Sequence, residues 1–90
     1  MLFALVCEDK PDSEDLRKAT RDNHLAYIKE FNVQMAGPML SADGTTMVGS
    51  LILLEADDIA AAEAFAASDP YALAGLFDRV TIRPFRKVIG

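Results

Sequence analysis

Apolar residues fall along the chain in four short runs and two longer periodic ones. LFALVCE, residues 2–8, is apolar without alternation and gives way to the turn-prone DKPDS, which predicts a first strand. Asp12 or Ser13 then stands where a helix cap belongs, with Glu14 and Asp15 in a first turn whose dipole favours acids. Leu16, Thr20, Tyr27, Ile28 and Phe31 recur on one side at helical spacing, so this helix is expected to run to about Phe31 or Asn32. VQMAGPML, residues 33–40, reads as a second strand at an edge or with a bulge, because Pro38 has no N–H for a ladder. SADGT carries a turn, and TMVGSLILLE, residues 46–55, pairs back as the third strand. Asp57 or Asp58 caps a second helix, IAAAEAFAAS, which must stop before Asp69-Pro70 because the residue before proline is pushed out of the α region. YALAGLF makes a short helical turn with Pro70 at its start, and DRVTIRPFRKV, residues 78–88, is the fourth strand.

The order β-α-β-β-α-β predicts an α+β fold, the ferredoxin-like antiparallel sheet with both helices on one face, in a single domain spanning residues 1–90. A sheet with one wet face alternates apolar and polar positions, yet Leu2 to Cys7 and Leu51 to Leu54 are apolar on both sides. Two helices cover one face only. The other is expected to be buried against a second copy, giving a homodimer through the sheet face, unless loops fold over it.

The chain has 90 residues, 51% of them hydrophobic, and a formal net charge of −5. An acidic domain of this kind excludes nucleic acid and an anionic membrane as expected partners, since both ask for a basic surface. The first residues lack the basic flank and the length of apolar run of a secretory leader, and no run approaches the ~20 residues of a membrane span. Cys7, the one cysteine, lies in an apolar run and reads as a buried free thiol, which points to a reducing, cytoplasmic setting.

The single histidine, His24, falls inside the apolar arc of the first helix, with Arg17 and Arg21 on the same side. It is either a hydrogen-bonded residue at the core margin or a general acid/base, the role that an imidazole titrating near neutral pH suits. One His and one buried Cys give no metal-ligand spacing, so no metal is expected. Most acids lie in solvated runs, among them Glu8-Asp9. Asp69 differs: it precedes a proline beside Tyr71, either as the cap of the short turn or as a partner for His24. Gly49 interrupts a bulky strand and allows close approach of a backbone or a ligand, and Ser50 after it is a small filler or a hydrogen-bond donor to a substrate. Arg17 and Arg21 either pair with acids or bind an anionic oxygen. Tyr27 and Tyr71 either pack in the core or line a cavity.

Five motifs in series resemble the YciI-like proteins: R-x-x-H-L at Arg21 to Leu25, A-G-P at Ala36 to Pro38, G-S at Gly49-Ser50, D-P-Y-x-x-A-G-L at Asp69 to Leu76 and I-x-P-F-x-x-V at Ile82 to Val88. The match runs in order over nearly the whole chain, with short intervals around the SADGT turn. The resemblance implies a dimeric α+β barrel and a His–Asp site in which His24 is the acid/base and Asp69 its partner. Around that pair, the residues read from the chain itself as candidates for binding the substrate are Arg21, Ser50, Tyr71 and Arg17. One branch of that family removes HCl from a chlorinated hydroxyquinol. The function expected is therefore a cofactor-free lyase, isomerase or hydrolase of a small aromatic or anionic metabolite. The alternatives are a non-catalytic module that binds a small ligand, and a protein whose motifs serve only dimer assembly.

Overall fold

The computed structural model describes residues 1–90 and orders them as β1 (Leu2–Asp9), α1 (Glu14–Ile28), β2 (Val33–Leu40), β3 (Met47–Glu55), α2 (Ile59–Ala67), α3 (Pro70–Leu73) and β4 (Phe77–Phe85). The four strands form one antiparallel sheet in the order β2-β3-β1-β4, with the helices on one face: the ferredoxin-like α+β arrangement. Pro38 and Pro84 both sit on edge strands, where a missing N–H costs no ladder bond. The β2–β3 ladder shifts register on either side of Pro38 rather than at it.

Strand register fixes which side chains share a face. Phe3 pairs with Leu54, Leu5 with Ile52 and Cys7 with Ser50. The first two pairs and Cys7 are buried under Ile28 of α1 and Ala62, Phe65 and Ala66 of α2. Each large apolar side chain removed from water here stabilises the fold by about 1.5–3 kcal/mol. At the Cys7–Ser50 pair the apolar face runs out, and the polar side chains of the site begin. Gly49 is explained by backbone proximity: a Cβ there would stand 2.4 Å from the Cys7 carbonyl oxygen.

The opposite sheet face carries Leu2, Ala4 and Val6 of β1, Leu51 and Leu53 of β3, Met35 of β2 and Phe85 of β4. No element of the chain covers it, and Met35 and Phe85 are 52% and 42% exposed. The bilateral apolar pattern of β1 and β3 thus has one face in the core and one open.

Two boundaries and one cap differ from expectation. Helix α1 ends at Ile28, because Glu30 and Phe31 donate to the carbonyls three residues back and tighten the chain out of the α ladder. Its inward face holds Arg17, His24 and Ile28, while Leu16 is 38% exposed and Phe31, beyond the helix, packs edge-on against Phe65. Ser13 occupies the N-cap position without a side-chain bond to the helix, and Glu14 instead accepts from the Met47 amide, tying α1 to β3. Strand β4 stops at Phe85, three residues early.

The remaining caps are of ordinary kind. Asp58 accepts from the Ala61 amide at 2.8 Å to start α2. The β2–β3 turn is closed by Asp43, which accepts from Ser41 Oγ and from both the amide and hydroxyl of Thr45; these bonds lower its carboxyl to about 2.

Candidate active site

The segment from Asp69 to Leu76 shows how local rules place the site. Asp69 caps α3 by accepting from the Tyr71 amide at 2.9 Å, and Pro70 fits the first helical position. The helix ends at Gly75, whose φ of +77° allows the amides of Gly75 and Leu76 to close back on the carbonyls of Ala72 and Tyr71. Leu76, wholly buried, then accepts from the Lys10 amide, so this short turn is clamped to the end of β1.

Clamped there, Asp69 does more than cap. Both of its oxygens reach Nδ1 of His24, at 2.8 and 3.0 Å, and both side chains are more than nine-tenths buried. The two readings of Asp69, cap and histidine partner, hold together in one carboxylate. Because Asp69 only accepts, it selects the tautomer with the proton on Nδ1 and leaves Nε2 as an acceptor. The His24 ring stacks on Tyr71, with centroids 4.0 Å apart and planes 16° from parallel, which fixes its orientation. Nε2 has no partner within the protein, yet no side-chain nitrogen or oxygen is both unpaired and shut off from solvent. Nε2 is therefore reached from outside.

Arg17 also lies over the Tyr71 ring, its guanidinium carbon 4.6 Å from the ring centre. Its Nε and Nη2 donate to the two oxygens of Asp9 at 2.7 and 2.9 Å, and Nη2 donates also to Ser50 Oγ at 2.9 Å. The side chains of Arg17 and Asp9 are 4% and 3% exposed. Burial works against the Arg17 charge, but Asp9 outweighs it and holds the guanidinium above its ordinary value. The arginine thus pairs with an acid, as one reading held, though inside the protein and not on its surface. Asp9 was expected in a solvated run and is not. It continues the inward series Phe3, Leu5, Cys7, and the period of two along β1 was the signal that could have found it.

Arg21, one turn before His24, is exposed and makes no ion pair. With Arg17, His24, Ser50, Tyr71 and the Ala36–Pro38 stretch of β2, it lines a cavity of about 170 Å³. Tyr71 lines this cavity; Tyr27 does not, since its hydroxyl donates to the Phe65 carbonyl and its ring packs against Phe31 and Phe65. Burial pushes the Tyr71 phenol above its usual value, with Arg17 and Arg21 pulling the other way. A wider groove of about 530 Å³ beside the β1–α1 loop contains neither His24 nor Asp69. The ionisable side chains form pairs, not a group of three or more His, Cys, Asp or Glu that could hold a metal ion.

Residues 1–86 match the model of the YCII-related domain. The chain belongs to that family. Protein YciI of Escherichia coli is 35% identical over 97 aligned residues, covering 98% of this chain and 99% of the other. A Haemophilus influenzae protein is 31% identical over the same share of each chain. Among solved structures, the 5-chloro-2-hydroxyhydroquinone dehydrochlorinase of Burkholderia phenoliruptrix, in complex with 2,5-dihydroxybenzoquinone, superposes with a TM-score of 0.88 at 32% identity over 96% of this chain and 94% of that one. That neighbour is a small-molecule enzyme. An antibiotic biosynthesis monooxygenase structure, with a TM-score of 0.59 and 13% identity, shares the fold alone. No helix is long and apolar enough to cross a membrane.

Proposed function

We propose that this YCII-related protein is an acid/base enzyme acting on a small ring metabolite, with His24 as the catalytic base or acid and Asp69 as its anchor. The single observation that carries the reading is the His24 ring itself, whose Nδ1 is fixed by a buried carboxylate while Nε2 stays open to solvent beside a cavity. Asp69 holds the tautomer and stabilises the imidazolium formed when Nε2 takes a proton; the same nitrogen then returns it. A positioned group of this kind contributes about 10²–10⁴-fold. The cavity is smaller than the ~300–1,000 Å³ clefts that take drug-sized ligands, which favours a single ring. Arg21 faces the ligand as an unpaired cation. Arg17, engaged by Asp9, positions Tyr71 and Ser50.

The likeness to the dehydrochlorinase supports the same class of chemistry, because losing HCl from a chlorinated quinol is a proton removed and a chloride expelled. A module that merely held a ligand would need no carboxylate behind the imidazole. The reading extends to assembly: a second copy packs on the open sheet face of Leu51, Leu53 and Met35, which supports a homodimer, and the buried free Cys7 accords with a reducing, cytoplasmic setting.

A panel of phenols, chlorinated hydroxyquinols and lactones, screened for turnover by the wild type and by His24→Ala, tests the site, with 2,5-dihydroxybenzoquinone as a calorimetric binding probe. Turnover lost in His24→Ala, with the circular dichroism spectrum intact, is the expected result. Equal turnover by the variant removes the proposal. Sedimentation of the wild type and of Leu53→Glu tests the assembly: a dimer that the charge converts to monomer is expected, and a monomeric wild type overturns it.

A further inference from the structure

Of the five glycines, four have a reason inside the chain and Gly37 has none. Gly44, Gly75 and Gly90 hold positive φ, and a Cβ on Gly49 would strike the Cys7 carbonyl. Gly37 stands within β2, outside the left-handed region, and a Cβ there would meet nothing within 4 Å. Glycine weakens a strand interior, so its use there points to a close approach from outside the chain. The register gives the direction of that approach. Ala36 and Pro38 pair with Ile52 and Ser50 and turn toward the cavity, whereas Gly37 pairs with Leu51, in a row with Val6 on the open sheet face. Gly37 thus has its backbone on the cavity and its bare Cα toward the open face. The same strand is weakly held. Gln34 to Pro38 are all exposed, and the only sheet neighbour of β2 is β3, along a ladder that shifts register twice. Leu25 of α1, which also lines the cavity, is 39% exposed. One wall of the site is therefore an edge strand with nothing of the chain packed on its outer side.

The open face also has the charge balance to meet its own copy. Its charged positions are Glu8 and Glu55 against Arg79 and Arg83, on a chain whose net charge is −5. A two-fold contact sets this patch on itself with no excess of either sign. We propose that a second copy packs over Gly37, takes the space its Cβ would fill and holds β2 against the cavity, so that the His24 site is complete only in the dimer. This rests on the acid/base reading of His24 and on the sheet-face dimer, and it joins the two. Ala36 and Pro38 transmit the effect, because they face the cavity from the strand whose other side the second copy covers. The A-G-P motif then reads as inner wall, outer contact, inner wall. By linkage, the factor by which the dimer raises ligand affinity is the factor by which the ligand raises dimer affinity.

The wild type, Leu53→Glu, Gly37→Val and the double variant test this. Leu53 lies on the open face and lines no part of the cavity. Calorimetry with 2,5-dihydroxybenzoquinone is expected to show the wild type binding about 5–150-fold tighter than monomeric Leu53→Glu, the range of coupling between two sites. Hydrogen exchange of the β2 amides is expected to be faster in Leu53→Glu than in the wild type, with the β1 amides still protected. Gly37→Val is expected to sediment as a monomer. Added to Leu53→Glu, it is expected to leave the urea midpoint unchanged or to raise it, since the single chain has room for the side chain and valine suits a strand. A double variant that unfolds shows that the chain itself needs Gly37 and overturns the proposal. So does a Gly37→Val protein that stays dimeric with wild-type affinity, and so does a monomeric wild type. Equal affinity and equal β2 exchange in the wild type and Leu53→Glu overturn the coupling and leave the reading of His24 standing. Absence of probe binding in every form counts against the reading of His24, and β2 exchange with the sedimentation of Gly37→Val then decides this one.

Discussion

Two buried charge pairs adjoin Tyr71, and they differ in what they leave open. Arg17 meets Asp9 through two bonds and spends another on Ser50. His24 meets Asp69 through one ring nitrogen and keeps the second for solvent. Both pairs are almost wholly desolvated. The first joins the end of β1 to α1 and β3 and so belongs to the fold. The second joins α1 to the α3 cap and presents a titratable atom to a cavity. Burial alone does not mark a functional group; an unmatched hydrogen-bonding atom facing a hollow does.

The contrast makes quantitative demands. Asp9→Ala leaves an uncompensated guanidinium inside the protein and is expected to cost about 3–5 kcal/mol, read from urea denaturation. His24→Ala removes a group whose partner keeps the Tyr71 amide, and is expected to cost about 1–3 kcal/mol while abolishing about 10²–10⁴-fold of any turnover. If the two variants lose equal stability, the division into a structural and a chemical pair fails. Arg21→Gln, at an exposed and unpaired site, is expected to change stability by no more than about 0.5 kcal/mol and to weaken binding of anionic ring ligands, measured by calorimetry.

A pH-dependent effect concerns Cys7, at the seam between the apolar core and the polar cluster. Burial first, and Asp69 next, push its thiol from 9.0 up to about 12. The unfolded chain releases this proton near the lower value and the folded chain holds it. Stability from this group is therefore whole below pH ~9 and lost as pH rises from there toward ~12. Urea midpoints near pH 8 and pH 11 check this, and the Cys7→Ala variant is expected to show a shallower alkaline decline.

The strands, the two main helices and the ferredoxin-like order were legible in the alternation of apolar runs with Gly, Pro and Asp punctuation. The missing proline N–H placed Pro38 at an edge or a bulge, and it lies on the edge strand β2. The end of α1 was not legible, because Phe31 kept helical spacing while the backbone had already tightened after Ile28. Tyr27 and Tyr71 could not be told apart by spacing, since one packs on Phe65 and the other on His24 across elements distant in sequence. Asp9 was misread because neighbouring acids suggested a solvated run, although its strand parity already pointed inward.

By itself the sequence determined which strand positions share a face and that His24 and Ile28 turn inward on α1, since periods of 2 and 3.6 are properties of the local backbone, but it did not find that Leu16 stays exposed. It also determined the cap at Asp69 and the left-handed close at Gly75, which act within a few residues. Tertiary structure alone decided which inward polar groups meet. Asp9 found Arg17 and Asp69 found His24 because sheet register and the clamp on α3 bring segments eight and forty-five positions apart within hydrogen-bond reach. A hydrogen bond depends on tenths of an ångström between such segments, and no local pattern encodes that distance.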